Sequence, residues 1–358
     1  MKPSVLAIAA LIAASSLPAA AQQTKLLTAD KHNEYGIVYT LPVTSLRIEV
    51  TARRTLSTAG PYWQYAKKYI GTDRVIKENS EAWTVTDVKV TPYGSPDPDR
   101  QYLMQLKPNA LTYVCVADDG MLLAVNKEVS LPEAEAELPE AAAEKKNPRE
   151  YLQYVDEDFI SSQSTAKQAQ MLAESLMEIR EAKIALTRGT AETMPTDGRQ
   201  LELMLQSLAH QEEAMTHAFT GFTEEQTVTR TYTFTPDEEG RFTLFRMSDF
   251  AGFVEADDYA GDPVFVKVTV TDRGELPVDS KGEEKKLPKD AVVYSVPGAA
   301  RIDISLAGRT LWSDEVQLAQ MGVVFGLAPQ LFTDKKERSF ATFDPATGAL
   351  REIGICDE

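Results

Sequence analysis

The stretch that most constrains this 358-residue chain runs over residues 165–221, where the apolar positions change from a period of two to a period near 3.6. Ala169, Leu172, Leu176, Ile179 and Leu186 recur at spacings of three, four and seven, forming one stripe with Lys183 in register. Thr165 with Gln168 reads as a capping box, and Gly189 suits the left-handed position after a last helical turn. A second stripe, Leu201, Leu205, Leu208, Met215 and Phe219, starts behind Asp197 and Gln200, which read as its capping box. A connection of about eight residues between the two predicts antiparallel packing. The sequence on both sides is of β type, so the predicted class is mainly β with an inserted antiparallel helical hairpin between two β-rich, sandwich- or barrel-like regions.

The β reading rests on alternation. Leu46-Arg47-Ile48-Glu49-Val50-Thr51 and Trp83-Thr84-Val85-Thr86-Asp87-Val88-Lys89-Val90 alternate as half-buried strands do, and Val264, Val266, Val268 and Val270 make the clearest case. Pro92-Tyr93-Gly94-Ser95-Pro96-Asp97-Pro98 favours tight bends over a ladder. The run 61–71 begins in proline, ends in glycine and places Tyr62, Tyr65 and Tyr69 on one helical face. Residues 131–148 are rich in Ala, Glu and Pro with almost no large apolar side chain, too little to offset ordering entropy by burial. The expected organisation is therefore a signal peptide at 1–21, a β-rich region at 22–130, an acidic linker at 131–160, the helical hairpin at 161–221 and a second β-rich region at 222–358.

Val38-Tyr39-Thr40-Leu41-Pro42 before Arg47-Ile48-Glu49-Val50 resembles Val293-Tyr294-Ser295-Val296-Pro297 before Arg301-Ile302-Asp303-Ile304. The spacing from proline to arginine differs by one residue, and the pair of segments could mark two related β modules or a chance match.

Lys2, the apolar run 5–17 and the small residues Pro18-Ala19-Ala20-Ala21 read as a signal peptide cut after Ala21. No later segment is apolar enough to span a bilayer. A formal net charge of −17 repels nucleic acid and anionic lipid, which excludes both as partners of a counterion-release kind. Cys115 and Cys356, the only cysteines, permit one bridge in an oxidising compartment or two separate thiols.

Motifs that carry chemistry are sparse. The chain has no nucleophile elbow, phosphate loop or dinucleotide turn, and three histidines, His32, His210 and His217, leave little for a triad. His210, Glu213 and His217 share one face of the second helix and could in principle meet a metal, but their spacing matches neither zinc-protease nor di-iron patterns. A solvated helix face is the plainer reading, and no cofactor is expected. Asp257-Asp258 and Glu224-Glu225 could serve glycoside hydrolysis as carboxylate pairs, yet an acidic chain carries such pairs by composition alone. Tyr62, Trp63, Tyr65 and Tyr69 fit either a sugar-stacking platform or the core face of a short helix.

A wider set of short motifs carries a resemblance: Tyr35-Gly36, Tyr39-x-Leu41-Pro42-x-Thr44, Pro92-Tyr93-Gly94-x-Pro96-Asp97, Phe219-Thr220-Gly221, Tyr232-x-Phe234-x-Pro236 and Ala319-Gln320-Met321-Gly322. Together they resemble the exported family of unknown function numbered 4831, found in Gram-negative anaerobes of the Bacteroides type. Arg246-Met247-Ser248 stands where that family has Arg-Phe-Ser. The resemblance implies a periplasmic or cell-envelope location and supplies no activity or site residues. These readings together point to a non-enzymatic envelope protein that binds a protein or glycan partner, with a carboxylate-dependent hydrolase of envelope glycan or peptide as the alternative.

Overall fold

The computed structural model describes residues 36–105, 112–131, 146–288, 291–333 and 337–356. The signal peptide expected at 1–21, and residues 132–145 of the expected acidic linker, lie outside the described residues.

Alternation builds two sheets that pack face to face. In β1 (Gly36–Thr58) Leu46, Ile48, Val50 and Ala52 are fully buried, and Arg47 and Arg53 between and beyond them face solvent. β1 lies between β2 (Ser80–Gln105) and β5 (Phe222–Phe234), antiparallel to both. The second sheet has the order β10-β9-β8-β6-β7, formed by β6 (Gly240–Ser248), β7 (Gly252–Val254), β8 (Asp262–Asp272), β9 (Val292–Leu306) and β10 (Arg309–Leu327). Its Val264, Val266, Val268, Ala300, Ile302 and Ile304 meet the apolar face of β1 in one core, where Tyr232 of β5 stacks on Phe245 of β6 at 4.5 Å. A third sheet, β12 (Leu350–Ile355), β11 (Ser339–Phe343), β4 (Leu122–Val125) and β3 (Val114–Val116), closes one end over Tyr39, Leu41, Val292 and Val293.

The mainly β class and the antiparallel helical pair are therefore those expected from the sequence. Strands from the two β-rich regions share sheets, because β5 zips onto β1 over residues 46–58 and β4 lies beside β11. The resembling segments around Pro42 and Pro297 also occupy similar settings. β1 is central between β2 and β5, and β9 is central between β10 and β8. Each pairs with a long neighbour that bulges by four residues: 97–100 stand opposite Leu41, and 319–322 opposite Pro297.

The proline-rich run 92–98 does not bend away as expected; it continues β2 along β1, with Leu46 opposite Pro92 and Pro42 opposite Pro96. Thr44 directs its N–H and C=O away from β2, toward Gln320, so its partner Gly94 directs its own toward the open edge of the sheet. Pro92 and Pro96, two residues either side of Gly94, share that direction, and their missing donors leave the ladder intact. Pro98 falls in the bulge.

The helical layer is larger than the hairpin. α1 (Ala66–Tyr69) follows a 3-10 turn at Trp63–Tyr65, and α2 (Glu157–Ser161) follows another at Glu150–Tyr154. Tyr62, Ala66, Tyr151 and Phe159 bury against α3 (Thr165–Arg188) and α4 (Gly198–Thr220), so residues 150–160, assigned above to the linker, form two short helical turns anchored by two aromatic rings. The cap of α3 is Ser164, not Thr165; its Oγ accepts from Lys167 N, and Gln168 instead donates to the carbonyls of Phe159 and Ser162. Asp197 stands at the cap position of α4 without a side-chain cap bond. The stripe of α3 is buried as predicted, whereas Leu201, Leu205 and Leu208 of α4 are only half covered and Ala214, Met215, Ala218 and Phe219 carry its packing.

Two side chains complete ladders where strands run out. The register of β5 would place Pro236 opposite Thr44, but proline has no N–H to give. Gln320, in the β10 bulge, takes that place: its Oε1 accepts from Thr44 N at 3.0 Å, and its Nε2 donates to Thr44 O at 2.9 Å and Pro236 O at 3.0 Å. Thr44 is fully buried and its Oγ1 donates to Ala346 O while accepting from Ala319 N. Five residues nearer the start of β1, the hydroxyl of Tyr39 donates to Val293 O and accepts from Val293 N. Burial is the main reason its ionisation is pushed well above the usual tyrosine range.

Candidate functional site

The hairpin between β6 and β7 and the loop from β7 to β8 form one tip of the second sheet. Ser248 is buried at the end of β6, and its Oγ accepts from Phe250 N at 3.4 Å and Ala251 N at 3.2 Å, which shapes the turn. Gly252 then takes φ +70°, and its Cα packs so closely on Trp83 that a Cβ would come within 2.7 Å of the indole. Trp83 also donates its backbone N–H to Asp249 O. Beneath the turn, Phe253 meets Trp83 edge-on and Phe245 at 5.4 Å. The turn therefore stands on an aromatic stack and holds Phe250, 77% exposed, outward.

The neighbouring loop is held as firmly. Arg246 donates from Nε to Ala256 O and from Nη1 to Gly261 O, and its guanidinium lies 4.5 Å from the centre of the Tyr259 ring. Asp258 N donates to Glu255 O, and Asp258 Oδ1 accepts from Ala260 N. Tyr259 is presented at 85% exposure. Phe250 and Tyr259 are the two most exposed large hydrophobic side chains among the described residues. The segment 249–262 that carries them holds five carboxylates, Asp249, Glu255, Asp257, Asp258 and Asp262, and no cation of its own, while Arg246 and Arg230 pack against the Tyr259 and Phe253 rings. The tip thus presents aromatic rings from a predominantly acidic segment.

The sequence candidates fall elsewhere or serve other ends. His210 Nε2 lies 2.9 Å from Glu150 Oε1 with its ring edge-on to Tyr154, and Glu213 receives Lys146 Nζ at 2.7 Å. His217, 3.7 Å from Glu213, packs on Phe222, and burial chiefly depresses its protonation. The hydrogen bond from Lys146 chiefly holds Glu213 below the usual carboxylate range. Among the described residues no group of three or more His, Cys, Asp and Glu side chains is arranged to hold a metal ion.

Glu224 and Glu225 are consecutive in β5 and point to opposite faces, so they cannot converge on one bond. Glu224 accepts from Lys146 N, and Glu225 lies 3.6 Å from Arg53. Asp257 and Asp258 belong to the tip loop. Tyr62 is buried among Tyr151, Phe159 and Phe219, and Tyr65 and Tyr69 pack against the same core, which is the core-face reading of that aromatic run. Trp63 is half-buried, with Lys77 Nζ 5.9 Å from its ring centre. Cys115 and Cys356 are free, each half-buried against a backbone carbonyl, of Val129 and Asn126 respectively.

The sequence reading missed Phe250 and Tyr259, and its one signal there was the run of acids around them. Fold and site together describe a β-sandwich with a helical layer and a preformed, acid-rimmed aromatic tip. The profile of a family described as Domain of unknown function (DUF4831) matches residues 35–351, and the chain belongs to that family. No match was found among curated proteins, and none among solved structures. Four of the six motifs that carried the resemblance meet in space: Thr44, Pro236 and the bulge 319–322 form the Gln320 clasp, and Gly94 lies opposite Thr44, where a Cβ would run into Pro345 O. They hold the two sheets together rather than line an open site. No helix among the described residues is long and apolar enough to cross a membrane.

Proposed function

We propose that this is an exported, envelope-located binding module without catalytic activity, which docks a basic, extended protein segment on the tip formed by Phe250 and Tyr259. The observation that carries this reading is the outward presentation of two aromatic rings, on hydrogen-bonded turns, from a segment that holds five carboxylates. Covering one such ring removes about 200 Å² from water, worth roughly 4 kcal/mol before association entropy is subtracted. Turns already fixed by Ser248, Trp83 and Arg246 lose little backbone freedom on binding, and Lys or Arg side chains complement the exposed ring faces and the acids. An exported location is supported by the leader-like residues 1–21 and by the family resemblance.

The test uses an extended octapeptide alternating Lys and Val, with its Glu/Val counterpart as control, titrated against the wild type and the F250S/Y259S double variant. Binding of the basic peptide alone, weakened by salt and lost in the double variant with an unchanged melting temperature, supports the proposal. Equal binding by wild type and variant, or preference for the acidic peptide, refutes it.

A further inference from the structure

The outer face of the second sheet holds a feature independent of the tip, an open depression of about 520 Å³. Arg241 from β6, Lys267 and Thr269 from β8, Asp303 and Ser305 from β9 and Thr310 from β10 line it. Lys267 and Thr269 alternate with the buried Val266 and Val268, and Asp303 and Ser305 with Ile302 and Ile304, so all four side chains stand opposite the core.

The register sets an unusual pair side by side. Arg241 is directly opposite Lys267, and Lys267 directly opposite Asp303. Two like charges in adjacent strands destabilise a sheet unless something lies between them. Asp303, opposite Lys267, offsets part of that repulsion, while its Oδ1 is turned across to β10, where it accepts from Ser313 Oγ at 2.6 Å. The guanidinium of Arg241 lies 3.5 Å above the centre of the Phe265 ring. Stacking fixes its plane and leaves its N–H edge for a planar anion. The lining carries two cations, Arg241 and Lys267, and two acids, Glu239 and Asp303, so on a chain with net charge −17 the depression is locally neutral.

The remaining lining decides which anion fits. Asp303, with Glu239 at the rim, repels a multiply charged ion such as phosphate, yet both accept hydrogen bonds from hydroxyl groups. Ser305, Thr269 and Thr310 can donate or accept toward the same kind of group. A ligand that carries one carboxylate and several hydroxyls satisfies both halves of the site.

We propose that this depression binds a hexuronate unit of an acidic saccharide, its carboxylate on Arg241 and Lys267 and its ring hydroxyls on Asp303, Ser305 and Thr310. The test is calorimetric titration of the whole protein with D-galacturonate, D-glucuronate, D-galactose and acetate, at low and at physiological salt. A uronate should bind, with galactose and acetate each weaker by about tenfold or more, since galactose lacks the carboxylate and acetate lacks the hydroxyls. Arg241→Ala should weaken the uronate by about tenfold, and Arg241→Lys should recover only part of that, because an ammonium cannot pair in two places. Lys267→Ala provides a second variant on a separate strand, and circular dichroism checks that each variant is folded. Equal binding of acetate and uronate, equal binding of galactose and uronate, no heat from either uronate at millimolar concentration, or unchanged affinity in both alanine variants would overturn the assignment. The tip proposal is untouched by any of these outcomes, since its probe is a basic peptide and its variants lie in other loops.

Discussion

Gln320→Ala tests whether a side-chain amide really stands in for a strand residue. In the wild type its carboxamide makes three hydrogen bonds, at 3.0, 2.9 and 3.0 Å, to Thr44 N, Thr44 O and Pro236 O. Thr44 is fully buried, so truncation leaves its N–H and C=O without partners. Each unpaired buried group costs about 1 kcal/mol or more, which puts the expected loss near 3 kcal/mol with the Pro236 bond included. With a urea slope of about 3 kcal/mol/M, the unfolding midpoint should fall by about 1 M. Gln320→Glu separates hydrogen bonding from packing. It keeps the shape and the acceptor for Thr44 N but turns a carboxylate toward two carbonyl oxygens. That variant should be at least as unstable as the alanine at neutral pH. It should recover as pH falls, because its folded pKa is raised by those carbonyls and the protonated acid can donate. A midpoint shift below about 0.3 M for Gln320→Ala, roughly 1 kcal/mol, would refute the clasp.

Two further measurements bear on the joints of the fold. Gly221 links α4 to β5 at φ +72° and ψ −177°, and a Cβ there would run into Thr58 O, whereas Gly189 at φ +70° has open space around it. Gly221→Ala should therefore cost at least about 3 kcal/mol and Gly189→Ala only about 1 kcal/mol, and equal shifts in melting temperature would contradict this. Glu212 is held below its ordinary 4.5, first by the hydrogen bond from Lys183 and then by that from Arg180. Its contribution is complete above the unfolded pKa and is lost as pH falls through the folded one, so Glu212→Gln should flatten the acid limb of the stability curve below the ordinary carboxylate value of 4.5. Parallel acid limbs for wild type and variant would show that the cluster contributes nothing.

Particular residues show where sequence reading reaches its limit. The α3 stripe, Gly189 and the alternation in β1 and β8 were legible because each is a repeat set by local backbone geometry. The run 92–98 was misread because proline is excluded only where an N–H is needed, and which side of β2 meets a partner is a property of the sheet. Residues 150–160 were misread because composition suggested a linker, while Tyr151 and Phe159 find their partners on α3, α4 and the 61–69 turn. Phe250 and Tyr259 look like ordinary core residues in sequence, and only the packing of Trp83 and Arg246 beneath them turns both outward.

By itself, then, the amino-acid sequence determined that this chain is mainly β with a helical pair set into it, that it is strongly acidic, and where most strands and both long helices lie. The tertiary structure alone decided that the two β-rich regions share sheets, that Gln320 and Tyr39 finish ladders begun by other strands, and that two aromatic rings and two cations face outward. Periodicity is written residue by residue along a strand or helix and survives in the sequence. Pairing and exposure depend on atoms that are distant in sequence, and Thr44 and Gln320, separated by more than half the chain, meet only once both sheets are in place.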